Sequence, residues 1–225
     1  MIAVNPNKYR SRGTYPPTPS RRDSMCFISV LTLALALFAT QPVPAAEADS
    51  RATVEKLHAV LIETMQQSGV LGYKGRVEKL APVLQELFEF EAIARLVTGR
   101  YWTTLNSAKR SEFIEVFKRL SAATYAENFD GFGGEHFETR AVEDKKNAQL
   151  VKTALVKTDG KEVSLNYLLV KSGEMWRIVN VVAEGVSDLS LKRAEYTAVI
   201  GSSGIDALIA KLNAKVASYA ATPAT

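Results

Sequence analysis

Residues 162–191, EVSLNYLLVKSGEMWRIVNVVAEGVSDLSL, constrain the fold more than any other stretch. Their period is two. Val163, Leu165, Tyr167 and Leu169 fall on one face of a strand, and Ser164, Asn166, Leu168 and Val170 fall on the other. Lys171-Ser172-Gly173-Glu174 is turn material. A second strand over 175–183 then places Trp176, Ile178 and Val182 on one face and Met175, Val179 and Val181 on the other. Both strands are partly apolar on both faces, so each face is expected to be covered, unlike an antiparallel sheet with one side in water.

The rest of the chain falls into two regimes, divided at Gly131-Phe132-Gly133-Gly134. Before it, apolar residues recur at spacings of three and four. Val54, Leu57, Leu61 and Met65 predict a first helix capped by Asp49 or Ser50 and broken across 69–75. Val77, Leu80, Leu84 and Leu87 predict a second from about Arg76, with Pro82 near its first turn. Phe90, Ile93 and Val97 predict a third, ended by Gly99. Asn106 or Ser107 caps a fourth with an aromatic-rich stripe of Phe113, Phe117, Leu120 and Tyr125. After the glycines the period becomes two, predicting strands over 137–143, 149–157, 163–171 and 175–183, with an Asp159-Gly160 hairpin between the second and third. A short helix over 189–200 follows, and Ser203 with Asp206 predicts a capping box before a last one. Helices set apart from an antiparallel meander define an α+β domain, with N-terminal helices packed on a four-stranded sheet and closing helices after it.

Residues 1–46 read as a leader. The apolar run Ser29–Ala39 follows Arg21-Arg22 and precedes Pro42-Val43-Pro44-Ala45-Ala46, the order of a secretory signal peptide cleaved after Ala45 or Ala46. The run falls short of the roughly 20 apolar residues a membrane span needs. A single domain over 47–225, exported by the general secretory route, is expected. The leader holds five of the 28 Lys and Arg and one of the 24 Asp and Glu, leaving 23 of each. The net charge of +4 therefore belongs to the leader, and no nucleic acid partner is implied. The single cysteine, Cys26, lies there too, so the remainder has neither disulfide nor thiolate chemistry.

Catalytic signals are weak. His58 and His136 are the only histidines, and His58 has no ligand partner at helical spacing. Phosphate loops, nucleophile elbows and calcium loops are missing from the sequence. A carboxylate site could be assembled from Glu184, Asp188 and Glu195 near Arg177 and Arg193, but paired surface charges explain the same residues. Gly185 makes a bend that Glu184 could hold. The aromatics exceed what such a core obviously needs. Taken together they can line a cavity between helices and sheet.

Phe88-Glu89-Phe90-Glu91-Ala92-Ile93-Ala94, then Gly99-Arg100-Tyr101-Trp102, and Lys109-Arg110 with Phe113 and Phe117, resemble the helical signature of the MlaC-like (toluene-tolerance) periplasmic lipid-binding proteins. Trp176-Arg177-Ile178, Asn180-Val181, Glu184-Gly185-Val186-Ser187 and Gly204-Ile205 with Leu208 resemble the family's C-terminal signature. The segment 188–196 is similar to the hopanoid-associated HpnM branch. The resemblance implies a soluble, monomeric periplasmic carrier without catalytic residues, metal or cofactor. Its cargo would be a phospholipid or a hopanoid, with the acyl chains held in an apolar pocket between sheet and helices. It would serve an inner-membrane ABC lipid transporter and an outer-membrane lipoprotein/porin complex. From the helices, Phe90, Leu96, Trp102, Phe117, Leu120 and Tyr125 are expected to line the pocket. From the sheet come Leu155, Tyr167, Leu169, Trp176, Val179 and Val181, and from the exit loop Val186 and Leu189. A docking module with a filled core, and a hydrolase or isomerase on the same scaffold, are the alternatives.

Overall fold

The computed structural model describes residues 45–221, so the signal peptide expected over 1–46 lies almost wholly outside the described residues. Four helices come first: α1 (Ala45–Gln66), α2 (Ser68–Leu87), α3 (Phe90–Thr98) and α4 (Ser107–Asn128), with a 3-10 segment over Gly99–Thr104. An antiparallel sheet follows, β1 (His136–Lys145), β2 (Ala148–Val156), β3 (Glu162–Ser172), β4 (Met175–Ala183) and the two-residue β5 (Val186–Ser187), in sequence order. A long kinked helix, α5 (Asp188–Ala220), closes the described chain.

The helices form where the apolar stripes predict them, with differences at their ends. α1 begins at Ala45, so Asp49 and Ser50 lie inside it and not at its start. α2 begins at Ser68 and is broken only at Gly72 (φ 58°, ψ −176°), so Pro82 sits in its interior and not in its first turn. Asn106 does cap α4, its side chain accepting the Lys109 N–H at 2.9 Å. The capping box expected at Ser203 is replaced by a kink at Gly204 (φ 83°, ψ 170°) within one helix. That backbone region is nearly confined to glycine. Asp206 instead meets Lys109 of α4 at 2.5 Å.

One face of the sheet packs on the helices. Val151, Leu155, Val163, Leu165, Tyr167 and Leu169 are buried on it. β4 departs from the simple alternation, because the pairing shifts between Leu168 and Leu169 opposite Ile178–Asn180. A bulge places two consecutive strand residues against one on the partner and reverses the phase beyond it. Trp176 and Ile178 are therefore inward before the bulge, and Val179, Val181 and Ala183 are buried after it, while Val182 is half-buried. The bulge also has an outside partner: Glu89 N–H donates to the Ile178 carbonyl at 3.0 Å, docking the α2–α3 link on this edge. The second face, expected to be covered, is instead half-buried at Ser164, Asn166, Leu168 and Val170.

At the end of β4, Glu184 and Gly185 both take positive φ, 50° and 78°. The Glu184 carboxylate accepts the Ser164 N–H, and Glu184 N–H donates to the Ser164 carbonyl at 3.0 Å. Glu184 thus holds the bend, and Ser187 caps α5 by accepting the Ser190 N–H at 3.2 Å.

Candidate functional site

The aromatic residues are stacked mainly on one another. From α4 the chain of rings runs Phe129, Tyr125, Phe88, Phe90 and Phe117, with centroid separations of 5.7 to 6.1 Å. Phe113 and Tyr196 complete it, both edge-on to each other and Tyr196 edge-on to Phe117. Edge-to-face packing of this kind adds to area burial. Burial pushes the Tyr125 and Tyr196 hydroxyls well above the usual phenol range, which keeps the spine neutral.

Behind this spine, where β4 meets α3, α4 and the start of α5, lies an apolar cleft. Phe88, Ile93, Phe117, Val179, Val181 and Leu189 line it, with Asn180, Asp188 and Lys192 at its polar end. Its free volume is about 10 Å³, roughly one water molecule's worth. Asn180 fixes this end, accepting the Leu189 N–H at 3.1 Å and donating to the Ser187 hydroxyl at 3.1 Å.

Most of the room is elsewhere. Residues 188–203 and 205–220 of α5 fold back at Gly204 and, with α4, enclose a groove of about 580 Å³, within the size range of ligand sites. Leu120, Thr124, Tyr196, Leu212 and Ala214 contribute to its wall, together with Lys192, Glu195, Lys211, Lys215 and Tyr219. Lys192 borders both spaces. Its side chain is 15% exposed and lies 3.2 Å from Asp188, itself 7% exposed. Burial pulls the Lys192 ammonium down to about 8, and the charge of Glu195 opposes that shift. Lys211 pairs with Glu195 at 2.8 Å, and the Lys215 ammonium stands 4.7 Å over the Tyr219 ring.

The residues expected to line one pocket are divided among several places. Phe117, Val179, Val181 and Leu189 border the cleft, and Phe90 and Tyr125 stack directly behind it. Leu120 borders the outer groove. Leu155, Tyr167 and Leu169 are fully buried on the inner face of β2 and β3 and do not border the cleft. There the Tyr167 hydroxyl bonds to Nε2 of His58 at 3.1 Å, and the His58 ring stacks on Phe137 at 3.8 Å. Trp176 borders a separate groove of about 290 Å³ between α1, α2 and β4. Trp102 is buried against Arg110, 5.1 Å away over its ring. Leu96 and Val186 point outward, 38% and 43% exposed.

The carboxylates suggested for an enzyme are dispersed on structural duties: Glu184 on the bend, Asp188 with Lys192, Glu195 with Lys211. Among the described residues no cluster of potential metal ligands occurs, and no helix is long and apolar enough to cross a membrane. Sequence reasoning did not single out Phe88, Ile93 or Lys192 as lining residues, although Phe88 belongs to the aromatic surplus read as a possible cavity lining. A signal for the first two was present, since both lie on the stripes of α2 and α3; Lys192 gave none.

Helices packed on an antiparallel sheet, with a small apolar cleft beside a larger groove of mixed charge, define an α+β scaffold. The sequence model of the MlaC protein family matches residues 55–214, from α1 into the second half of α5, and the chain belongs to that family. It is 24% identical over 122 residues to the intermembrane phospholipid transport system binding protein MlaC of Haemophilus influenzae. That match covers 52% of this chain and 56% of the relative, so the two align over about half their lengths. Its fold is that of a phospholipid-binding protein from Ralstonia solanacearum solved in complex with a phospholipid, with a TM-score of 0.66 and 19% identity. The likeness covers 76% of this chain and 99% of that one.

Proposed function

We propose that this protein is a periplasmic lipid carrier that holds the acyl chains of a phospholipid and moves it between membranes. The observation that carries the reading is membership of the MlaC family across both the helices and the sheet. The names of its relatives support it, one a binding protein of an intermembrane phospholipid transport system and the other bound to a phospholipid. The chemistry agrees. At about 0.8 kcal/mol per CH₂, two chains of about 16 carbons left in water cost roughly 25 kcal/mol, which an enclosed apolar site offsets. No reacting group is required for that work.

The cleft of about 10 Å³ is far smaller than a diacyl lipid. Loading therefore requires packed surfaces to separate, and the cleft bordered by Phe117, Val179, Val181 and Leu189 is where the chains would enter. As a carrier the protein would exchange cargo with an inner-membrane ABC transporter and an outer-membrane lipoprotein/porin complex. The test is organic extraction of the exported protein, purified without detergent, followed by mass spectrometry. A phospholipid near one per protein is expected. A hopanoid in its place would revise the cargo, and lipid-free protein would overturn the reading.

A further inference from the structure

Many cations on the described surface are met by carboxylates: Lys56 by Glu86, Lys79 by Glu63, Lys118 by Glu115, Lys152 by Glu143. The end of α3 differs. Three exposed arginines, Arg95, Arg100 and Arg193, gather around Gly99, and among the described residues none of them forms an ion pair with a carboxylate. Arg95 opens the last turn of α3, its carbonyl accepting the Gly99 N–H. Arg193 reaches across from α5, where a Cβ built on Gly99 would stand 3.5 Å from its guanidinium. Arg100 follows in the 3-10 segment and donates to the Tyr101 hydroxyl at 2.9 Å. That hydroxyl packs on Gly201 of α5, so closely that a Cβ there would come within 2.7 Å. Arg193, Thr197 and Gly201 recur every four residues on α5 and thus face 99–101 along one line. Leu96, 38% exposed, sits beside Arg95 on the outer side of α3. Glu91 is the one carboxylate of α3, and the carbonyl end of the helix supplies about half a negative charge. Against three guanidinium groups these leave an excess of about 1.5 positive charges.

We propose that Arg95, Arg100 and Arg193, with Leu96, form a docking surface for an anionic bilayer. The inference goes beyond the carrier reading and does not depend on it, since binding through this patch needs no cargo. Charge complementarity sets the class of partner: guanidinium forks match phosphate oxygens in pairs and stay charged across the physiological range. Leu96 narrows the class. A leucine among arginines suits the boundary between head groups and acyl chains, where arginine stems also lie on apolar surface while their ends reach water. A hydrated acidic polypeptide would leave that leucine unused. The patch is also held firmly, because the 3-10 segment is seated on α5 at Gly201 and Arg193 on α3 at Gly99. Ile93 and Leu189 of the same two helices line the apolar cleft, so a bilayer bound here lies beside it.

The experiment measures how much of the whole exported protein sediments with vesicles of phosphatidylcholine containing phosphatidylglycerol, against vesicles of phosphatidylcholine alone. Partitioning about tenfold stronger on the anionic vesicles is expected, the factor that between one and two arginines sustain at such a surface. Arg95→Gln with Arg193→Gln removes the excess charge and brings the ratio near one. Arg100→Gln alone lowers it about fivefold. Lys74→Gln with Lys171→Gln, two exposed cations away from α3, changes net charge by the same amount as the first pair and leaves the preference intact. Thermal melts verify that each variant is folded. Equal binding to both vesicles by wild-type protein would overturn the docking surface, and so would a preference that survives Arg95→Gln with Arg193→Gln. A preference lost equally in Lys74→Gln with Lys171→Gln would reduce the effect to overall charge and also overturn it. Binding to immobilised polyglutamate but not to anionic vesicles would give the patch to an acidic protein instead. None of these results alters what organic extraction finds bound inside the protein, so the carrier reading stands or falls separately.

Discussion

The helical layer meets the rest of the molecule in two different ways. Where α1 lies on the sheet, its apolar stripe is buried, with a groove of about 290 Å³ only beside its first turns at Trp176. Val54, Leu57, Leu61 and Met65 are wholly buried, and the polar atoms of His58 and Tyr167 satisfy each other at 3.1 Å. Where α5 lies on α4, the contact is interrupted. A kink at Gly204 and a groove of about 580 Å³ separate its parts, and ion pairs join α4 to α5 (Lys109–Asp206) and the two halves of α5 (Lys211–Glu195) beside the buried Tyr196, Leu208 and Leu212. Interiors packed to crystal density resist deformation, whereas half-exposed ion pairs contribute little and separate cheaply. On the carrier reading, the α1 layer would be the fixed wall and α5 the element that parts when acyl chains enter.

The sharpest way to break that comparison is a charge in the fixed wall. Leu169 is fully buried on the inner face of β3. Leu169→Arg should cost about 4 kcal/mol or more, enough to abolish folding in a urea or thermal melt. A folded variant with a near wild-type midpoint would show that this layer has slack.

Acid should act next, through His58. Burial pulls its pKa down to about 3 from an ordinary value near 6.5, so protons bind preferentially to the unfolded chain. Stability from this group is fully present above about pH 6.5 and declines as pH falls toward 3, by about 2 kcal/mol at pH 5. Urea titrations at several pH values check this, with His58→Phe expected to flatten the slope between pH 6.5 and 5. An unchanged slope in that variant would place the acid sensitivity elsewhere.

A smaller effect is expected at the α5 kink. Gly204→Ala meets no neighbouring atom within 4 Å but forces an alanine into positive φ, at a cost of about 1 to 2 kcal/mol. The α1 side should remain as protected from hydrogen exchange as before, and the loss should be confined to 205–220. A loss spread across α1 and the sheet would mean that the two regions are not independent.

How much of this was legible in the sequence follows from what each residue signals. The stripes Val54–Met65 and Phe113–Tyr125 and the alternation of Val163–Leu169 predict their elements because burial is what selects those spacings. The bulge after Ile178 is not written in the alternation of β4, and the Ile178 carbonyl there accepts the Glu89 N–H from another element. That is why Val179 and Val181 join the inner layer while Val182 does not. The aromatic excess is read correctly as interior but not in detail, because the same composition serves rings lining a void and rings stacked on one another. Lys192 has no signature at all. A lysine four residues after Asp188 on a helix reads as solvent-facing pairing, and only the fold-back of α5 encloses it. Gly204 appears in the sequence as part of a family signature, and its role as the kink emerges only from its backbone angles.

The central claim is that lipid enters by parting α5 from the aromatic spine while the α1–sheet layer stays shut. Amide hydrogen exchange on lipid-loaded and delipidated protein tests it most directly. The account predicts that protection changes over 188–220 and in the α4 turns around Phe117 and Leu120, with β2, β3 and residues 54–65 unaltered. A change centred on β2, β3 and α1, with α5 unaffected, would contradict it.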